Sequence, residues 1–227
     1  MKIIYITTTS HSLMAEDYER DIYKDWYSLV AYEVKRYYPD LEVECWTPEA
    51  KYNQEKTVKY KDIKFRIFPS TFALRHGMDI SLDMLKALKQ EQKKLKNNEK
   101  IIIHFHEHHS WQVYLMLMFA DKSKVKIVSQ HHGARAPYKN LLKYKKLLPM
   151  SPLFMFMQFL EFLLFKKIDL FYILSSEEEK YIKNNAKNSI VKFQTMGIGK
   201  EYFKKKNKTN ARKKLGLDLN RKYLLYI

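Results

Sequence analysis

The stretch Ile101–Gln112, IIIHFHEHHSWQ, decides the fold. Three consecutive isoleucines have the β-branched, apolar character of a strand buried on both faces. The histidine-rich continuation marks where that strand leaves the core. The residues that follow, Trp111–Ala120, are apolar nearly all round and predict a buried helix. A second apolar run, Val125–Gln130, then ends in its own histidine pair, His131 and His132, ahead of Gly133. Strand, buried helix and strand together are the repeating unit of a parallel sheet.

Working outward, the same alternation recurs. Strands are expected at Lys2–Thr8, Leu41–Thr47, Lys64–Pro69, Lys100–His106, Asp169–Leu174, Ile190–Thr195 and Tyr223–Ile227. Helices are expected at Asp17–Tyr38, stopping at Pro39, and at Ser81–Leu95, where leucine recurs on one face. Another begins at Ser176, whose spacing to Glu179 is that of a capping box. The fold class is therefore α/β, a Rossmann-like parallel sheet with helices on both faces. Ligands of such sheets bind beyond the carboxyl ends of the strands. His106, Glu107 and His109 would end one strand, and His132 and Gly133 the next. If the two strands are neighbours, both clusters share one rim.

Composition bounds the alternatives. The chain has 227 residues, 46% hydrophobic and 30% charged, which supports a sizeable core and excludes wholesale disorder. A lone cysteine, Cys45, forms no internal disulfide and points to a reducing, cytoplasmic setting. The net charge of +17 is uneven. Residues 1–60 carry 8 Lys/Arg against 11 Asp/Glu, residues 138–167 carry 6 against 1, and residues 200–222 carry 10 against 2. Such a field attracts phosphates of a lipid, a pyrophosphate or a nucleic acid. Without a reader motif, no specific nucleic-acid partner is expected.

The histidine string admits a metal reading. His104, His106 and His109 resemble the H-x-H-x-D-H ligands of the metallo-β-lactamase family, with His108 at the aspartate position. The alternative function is then a metal-dependent hydrolase. Against it, His104 lies deep in an apolar run, the strand–helix alternation is not that family's β-rich sandwich, and its later ligands are not evident. No metal is assigned.

The second half carries a more extensive resemblance. DLFYILSSEEEKYI (Asp169–Ile182) resembles the strand and following helix of family-four retaining glycosyltransferases of the GT-B fold. TMGIGKEYF (Thr195–Phe203) resembles that family's asparagine-glycine-valine-aspartate segment; Gly197 and Phe203 match, whereas Met196 and Gly199 depart. ARKKLGL (Ala211–Leu217) resembles the helix preceding the family's second domain, and KYLLYI that domain's first strand. SQHHG and IIIHFHE resemble N-domain strand ends rich in histidine.

The resemblance implies residues 1–195 as a Rossmann-like acceptor-binding domain (a GT-B N-terminal domain), 196–222 as an interdomain linker, and 223–227 as the first strand of a missing C-terminal donor domain. It implies a hexosyltransferase-type enzyme, inactive as this fragment alone. The complete enzyme would move a sugar from a nucleotide sugar, its donor substrate, to a glycan or lipid-linked acceptor, as in polysaccharide biosynthesis. No cofactor is expected within these residues. His132 matches the family position that supports the separating charge at the sugar–phosphate bond. Around it the cleft would comprise Ser10, His11, Ser12, His106, Glu107, His109, Gly133, Arg135 and Gly197. The loop after the first strand, TTTSHSLMAED, departs from the family in lacking glycine, so Ser10, His11 and Ser12 would make contact through side chains.

Tyr138–Lys167 is first basic and amphipathic, then apolar over most of a helix circumference, interrupted by Gln158 and Glu161. Pro149, Pro152 and these polar residues argue against a membrane-spanning helix. Two readings stand: inter-helix packing, or docking on an anionic membrane surface at the cytoplasmic face, with lysines at the headgroups.

Overall fold

A computed structural model describes residues 1–10, 22–73, 79–96, 99–132, 137, 139, 151–194, 207–218 and 221. The chain divides into two compact units, Met1–Gln194 and Thr195–Ile227. In the second unit the described element is a short helix, Lys208–Lys214, whose N-cap Asn207 side chain accepts from the Thr209 and Asn210 N–H groups.

The first unit is built on an eight-stranded sheet. Its strands are β1 Lys2–Ile6, β2 Glu42–Glu49, β3 Lys56–Tyr60, β4 Ile63–Pro69, β5 Ile101–His106, β6 Val125–Gln130, β7 Leu170–Ile173 and β8 Ile190–Phe193. The spatial order is β3-β4-β2-β1-β5-β6-β7-β8. Every pairing is parallel except that of β3 with β4. The helices are α1 Trp26–Tyr37, α2 Leu82–Lys94, α3 Trp111–Phe119, α4 Ser151–Leu164 and α5 Ser176–Asn185. A single 3₁₀ turn, Phe165–Lys167, follows α4. The Rossmann-like α/β class expected from the strand–helix alternation is the observed one. The expected strand Tyr223–Ile227 lies outside the described residues.

Strand alternation divides the core in two. Ile4, Ile6, Trp46, Ile101, Ile103, Phe105 and Ile127 face a large apolar cluster shared with residues of α2, α3, α4 and α5. Tyr5, Val43, Cys45, Phe65 and Ile67 face a smaller cluster with Tyr27 and Ala31 of α1. Burying a side chain such as Phe105 or Ile103 stabilises by roughly 1.5–3 kcal/mol, so both helical layers are held firmly to the sheet. Burial also pushes the Cys45 thiol well above its usual range, which leaves it protonated and inert.

Two local features depart from the sequence reading. β3 was not anticipated. It is short, polar and largely exposed, and pairs only with β4. Its connection is a two-residue turn in which Lys61 and Asp62 both have positive φ, 48° and 60°. That is the twist-compatible hairpin geometry, made here without the glycine that usually advertises it. The capping residue of α5 is Ser175 rather than Ser176: its hydroxyl accepts from the Glu178 N–H, and the Glu178 carboxylate accepts from Leu174 N.

Asp169, just ahead of β7, has a structural task. Its carboxylate accepts from the Ile127 N–H at 2.8 Å while its own N–H donates to the Ile127 carbonyl at 2.9 Å, and Lys122 pairs with it. The aspartate therefore sets the register between β6 and β7. At the amino-terminal edge of the sheet, Lys2 bridges Glu44 and Glu91 at 2.7 and 2.8 Å. A cleft of about 760 Å³ there is lined by Lys2, Glu42, Lys64, Glu91 and Lys94 among others. Its charges are largely paired with one another, and it lies at the end of the strands opposite the histidines.

Candidate functional site

The sheet order places the site. After β1 the chain builds outward through β2 to β4, then returns to the other side of β1 with β5. β1 and β5 therefore flank the topological switch point, and the crevice beyond their carboxyl ends is where such sheets bind ligands. His106 is the last residue of β5, and Thr7–Ser10 follow β1. β5 and β6 are neighbours with His106 opposite Gln130, so the two histidine clusters do meet.

Alternation sorts the histidines into two groups. His104 and His106 project to the α1 side, where their rings stack at 4.7 Å and lie 5.1 and 5.8 Å from the Tyr5 ring. His106 Nδ1 is 3.1 Å from His132 Nε2, with the two rings parallel to within 4°. Tyr27 of α1 meets His106 edge-on, and its hydroxyl donates to the Ile22 carbonyl. Burial, reinforced by the neighbouring imidazoles, lowers all three histidines: His104 to about 3, His106 well below its usual range, and His132 to about 4. At neutral pH these rings are uncharged, and in the His106–His132 contact one ring donates to the other. His132 is half-buried at the crevice, whereas His106 is buried behind it.

The second group lies on the opposite side. Consecutive residues of an extended chain point to opposite faces, so His131 turns away from its neighbour His132. It joins His108 and His109, with ring centroids 5.3 and 5.6 Å away. Glu161 of α4, itself fully buried, receives His109 Nδ1 at 2.7 Å and the hydroxyls of Tyr114 and Tyr181. Burial opposes charge on His109, yet the Glu161 carboxylate outweighs it and raises its pKa. His108 Nε2 and His131 Nδ1 stand 3.2 and 2.8 Å from Glu178 Oε1.

Glu107 lies between the groups. Its backbone has φ +128°, a region that glycine enters freely and other residues rarely. Its carboxylate accepts from the N–H groups of His108 and His109 at 2.8 and 3.2 Å and of His132 at 3.4 Å. Burial alone would raise the pKa of this carboxyl. Histidines 108, 109 and 131, with the His108 N–H, overrule it and hold the group at about 2. Glu107 thus clasps the end of β5 to the end of β6.

Of the residues singled out from sequence, His106, Glu107, His109 and His132 are brought to adjoining strand ends. Ser10 is fully buried behind β1, where its hydroxyl donates to Glu49 and its N–H to Asp79. His11, Ser12, Gly133, Arg135 and Gly197 lie outside the described residues. His104, His106 and His109 do not form the ligand set that the hydrolase alternative requires. Among the described residues, the donors that converge are Glu107, His108, His109 and His131. His131 and Glu178 were not recognised as site residues, and Glu161 was noted only as a break in an apolar run. A lone carboxylate in a largely apolar helix was the available signal, because such a group enters a core only with partners.

Site and topology together define a Rossmann-like α/β domain with its candidate cleft at the switch point. Sucrose-phosphate synthase is among the solved structures it resembles. Sucrose-phosphate synthase from Thermosynechococcus elongatus superposes with a TM-score of 0.62 at 13% identity, over 97% of this chain and 54% of that one. A second sucrose-phosphate synthase structure from the same organism gives 0.51 at 11% identity, over 88% of this chain and 91% of that one. An α,α-trehalose-phosphate synthase (UDP-forming) from Burkholderia vietnamiensis gives 0.48 at 9% identity, over 95% and 54%. The chain thus spans about half the length of the first of these. At such identities the likeness establishes the fold. No protein-family model and no curated protein matches the sequence.

Proposed function

We propose that this chain is the acceptor-binding lobe of a GT-B, family-four retaining glycosyltransferase, with the His106–His132 pair at the rim of its sugar cleft. The observation that carries the reading is the pair's position. Two neutral, stacked imidazoles stand at the carboxyl ends of adjacent parallel strands beside the switch point. A fold shared with sucrose-phosphate synthase supports it. Opening a sugar–phosphate bond places positive charge on the ring and negative charge on the departing diphosphate. A fixed neutral donor at the sugar hydroxyls or the phosphate stabilises that separation without the desolvation cost of a buried cation. His132 is the residue in that role, and His106 is its positioning partner. The donor is a nucleotide sugar and the acceptor a glycan or glycolipid.

The test is a titration of the chain, labelled with ¹⁵N-histidine, with a panel of mono- and disaccharides and their phosphates. Ring-nitrogen shifts of His132 and His106 should move saturably with at least one sugar, and His132→Ala should weaken that binding about tenfold or more. Absence of any response in these two rings across the panel defeats the reading.

The same proposal extends to the membrane. α4 turns Phe154, Met157, Leu160 and Leu164 inward, but leaves Met155, Phe156, Phe159 and Phe162 more than half exposed. That exposed stripe, at helical spacing, belongs to a segment with 6 basic residues against 1 acidic. Among the described residues no helix is long and apolar enough to cross a bilayer. Aromatic side chains backed by lysines suit insertion at an anionic interface, where a lipid-linked acceptor would lie. Phe156→Ser with Phe159→Ser should abolish co-flotation with vesicles containing anionic lipid. Equal flotation of both proteins, or none by the unaltered chain, rules the extension out.

A further inference from the structure

The second histidine group takes no part in the His106–His132 contact, and its chemistry points elsewhere. Glu107, His108, His109 and His131 each offer one donor atom, and these four atoms lie within 4.8 Å of one another. Several of the buried donors have no hydrogen-bond partner: both ring nitrogens of His108, Nε2 of His109 and Nδ1 of His131. His108 is 0% exposed and His109 7%. A buried imidazole nitrogen left without a partner is costly, so this many in one place calls for a common occupant. Glu178 Oε1 approaches two of the nitrogens at 2.8 and 3.2 Å, but without the alignment of a hydrogen bond. Donor atoms crowded in this manner suit shared coordination, since neighbouring ligands of a tetrahedral zinc ion sit about 3.3 Å apart.

We propose that Glu107, His108, His109 and His131 form a zinc site. Three imidazoles and one carboxylate match the preference of zinc, whereas magnesium or calcium would need an oxygen-rich shell. His109 is already oriented for the task. Its Nδ1 is engaged by Glu161 and its Nε2 is left for the metal, the usual carboxylate–histidine–metal arrangement. The four protein donors are enough to close a tetrahedron, and all four residues are at least largely buried. The site is accordingly structural: it staples the end of β5 to the end of β6 and, through His131, fixes the backbone that presents His132. This departs from the sequence-based expectation of no metal. It also selects different ligands from those of the hydrolase string, since His104 and His106 take no part. The inference stands apart from the glycosyltransferase reading, because zinc binding is read without sugar.

The experiment uses the full chain, purified without a metal-affinity step. Elemental analysis should find about one zinc per chain, removable by a strong chelator with a fall in melting temperature and restored by zinc. Cobalt added to the stripped protein should give the intense visible absorption of tetrahedral coordination. His131→Ala should weaken zinc binding at least tenfold and Glu161→Gln about 10- to 100-fold, whereas His106→Ala should leave it unchanged. Zinc well below stoichiometric after reconstitution, or no tetrahedral cobalt spectrum, overturns the proposal on the unaltered chain alone, however the variants fold.

Discussion

Glu161→Ala is expected to lower the stability of the first unit by about 3–5 kcal/mol in urea unfolding, the cost typical of breaking a buried charge network. Glu161 lies fully buried on the inner face of α4 and accepts from His109 of the β5 end, Tyr114 of α3 and Tyr181 of α5. One carboxylate therefore ties three elements that are otherwise joined by apolar contact. Truncation to alanine strands the His109 and Tyr114 donors in a dry interior and takes the acceptor from the part-buried Tyr181 hydroxyl. Glu161→Gln separates charge from shape. The amide can still accept from His109, and it can donate to a tyrosine hydroxyl, which accepts as readily as it donates. Its cost should be about 1–2 kcal/mol. A loss below about 1 kcal/mol for the alanine variant would mean that the helices do not depend on this group. Unfolding in the presence of chelator isolates the term from any bound metal.

Much of the scaffold was legible because it rests on hydrophobic period. Val125–Gln130 appears as read, and β5, α2 and α3 differ from their expected bounds by a residue or so at each end. Isoleucine runs and single-faced leucines carry their signal within a few neighbouring residues. β3 was missed for the complementary reason. Its residues are polar and edge-exposed, and its turn uses Lys61 and Asp62 in a conformation normally signalled by Asn-Gly. The histidines were legible as strand ends but not as two groups. Their division depends on which face each residue takes once the chain leaves the strand, and a positive φ at Glu107 resets that alternation. His109 is thereby delivered to Glu161, 52 residues away in sequence, a distance at which no local pattern speaks.

That same positive φ yields a three-way comparison at Glu107. Glu107→Ala is expected to destabilise by about 2–4 kcal/mol, because three backbone N–H groups lose the carboxylate that joins β5 to β6 while the strained backbone remains. Glu107→Gly loses the carboxylate equally but relieves the strain. At φ +128° a residue with a Cβ carries roughly 1–3 kcal/mol of conformational energy that glycine does not. Against this, glycine gains about 0.5–1 kcal/mol of freedom in the unfolded chain. The glycine variant should therefore be the more stable of the two by about 0.5–2 kcal/mol, reversing the order found at ordinary extended positions. Glu107→Gln should fall nearer the unaltered protein, since its amide oxygen can still accept from His108 and His109. Matched urea curves of the three proteins, taken with chelator present, decide the matter. A glycine variant no more stable than the alanine variant would mean that the backbone at the crevice stores no strain. The order expected here instead makes the carboxylate the agent that holds a costly backbone in place, and with it the spacing between His106 and His132.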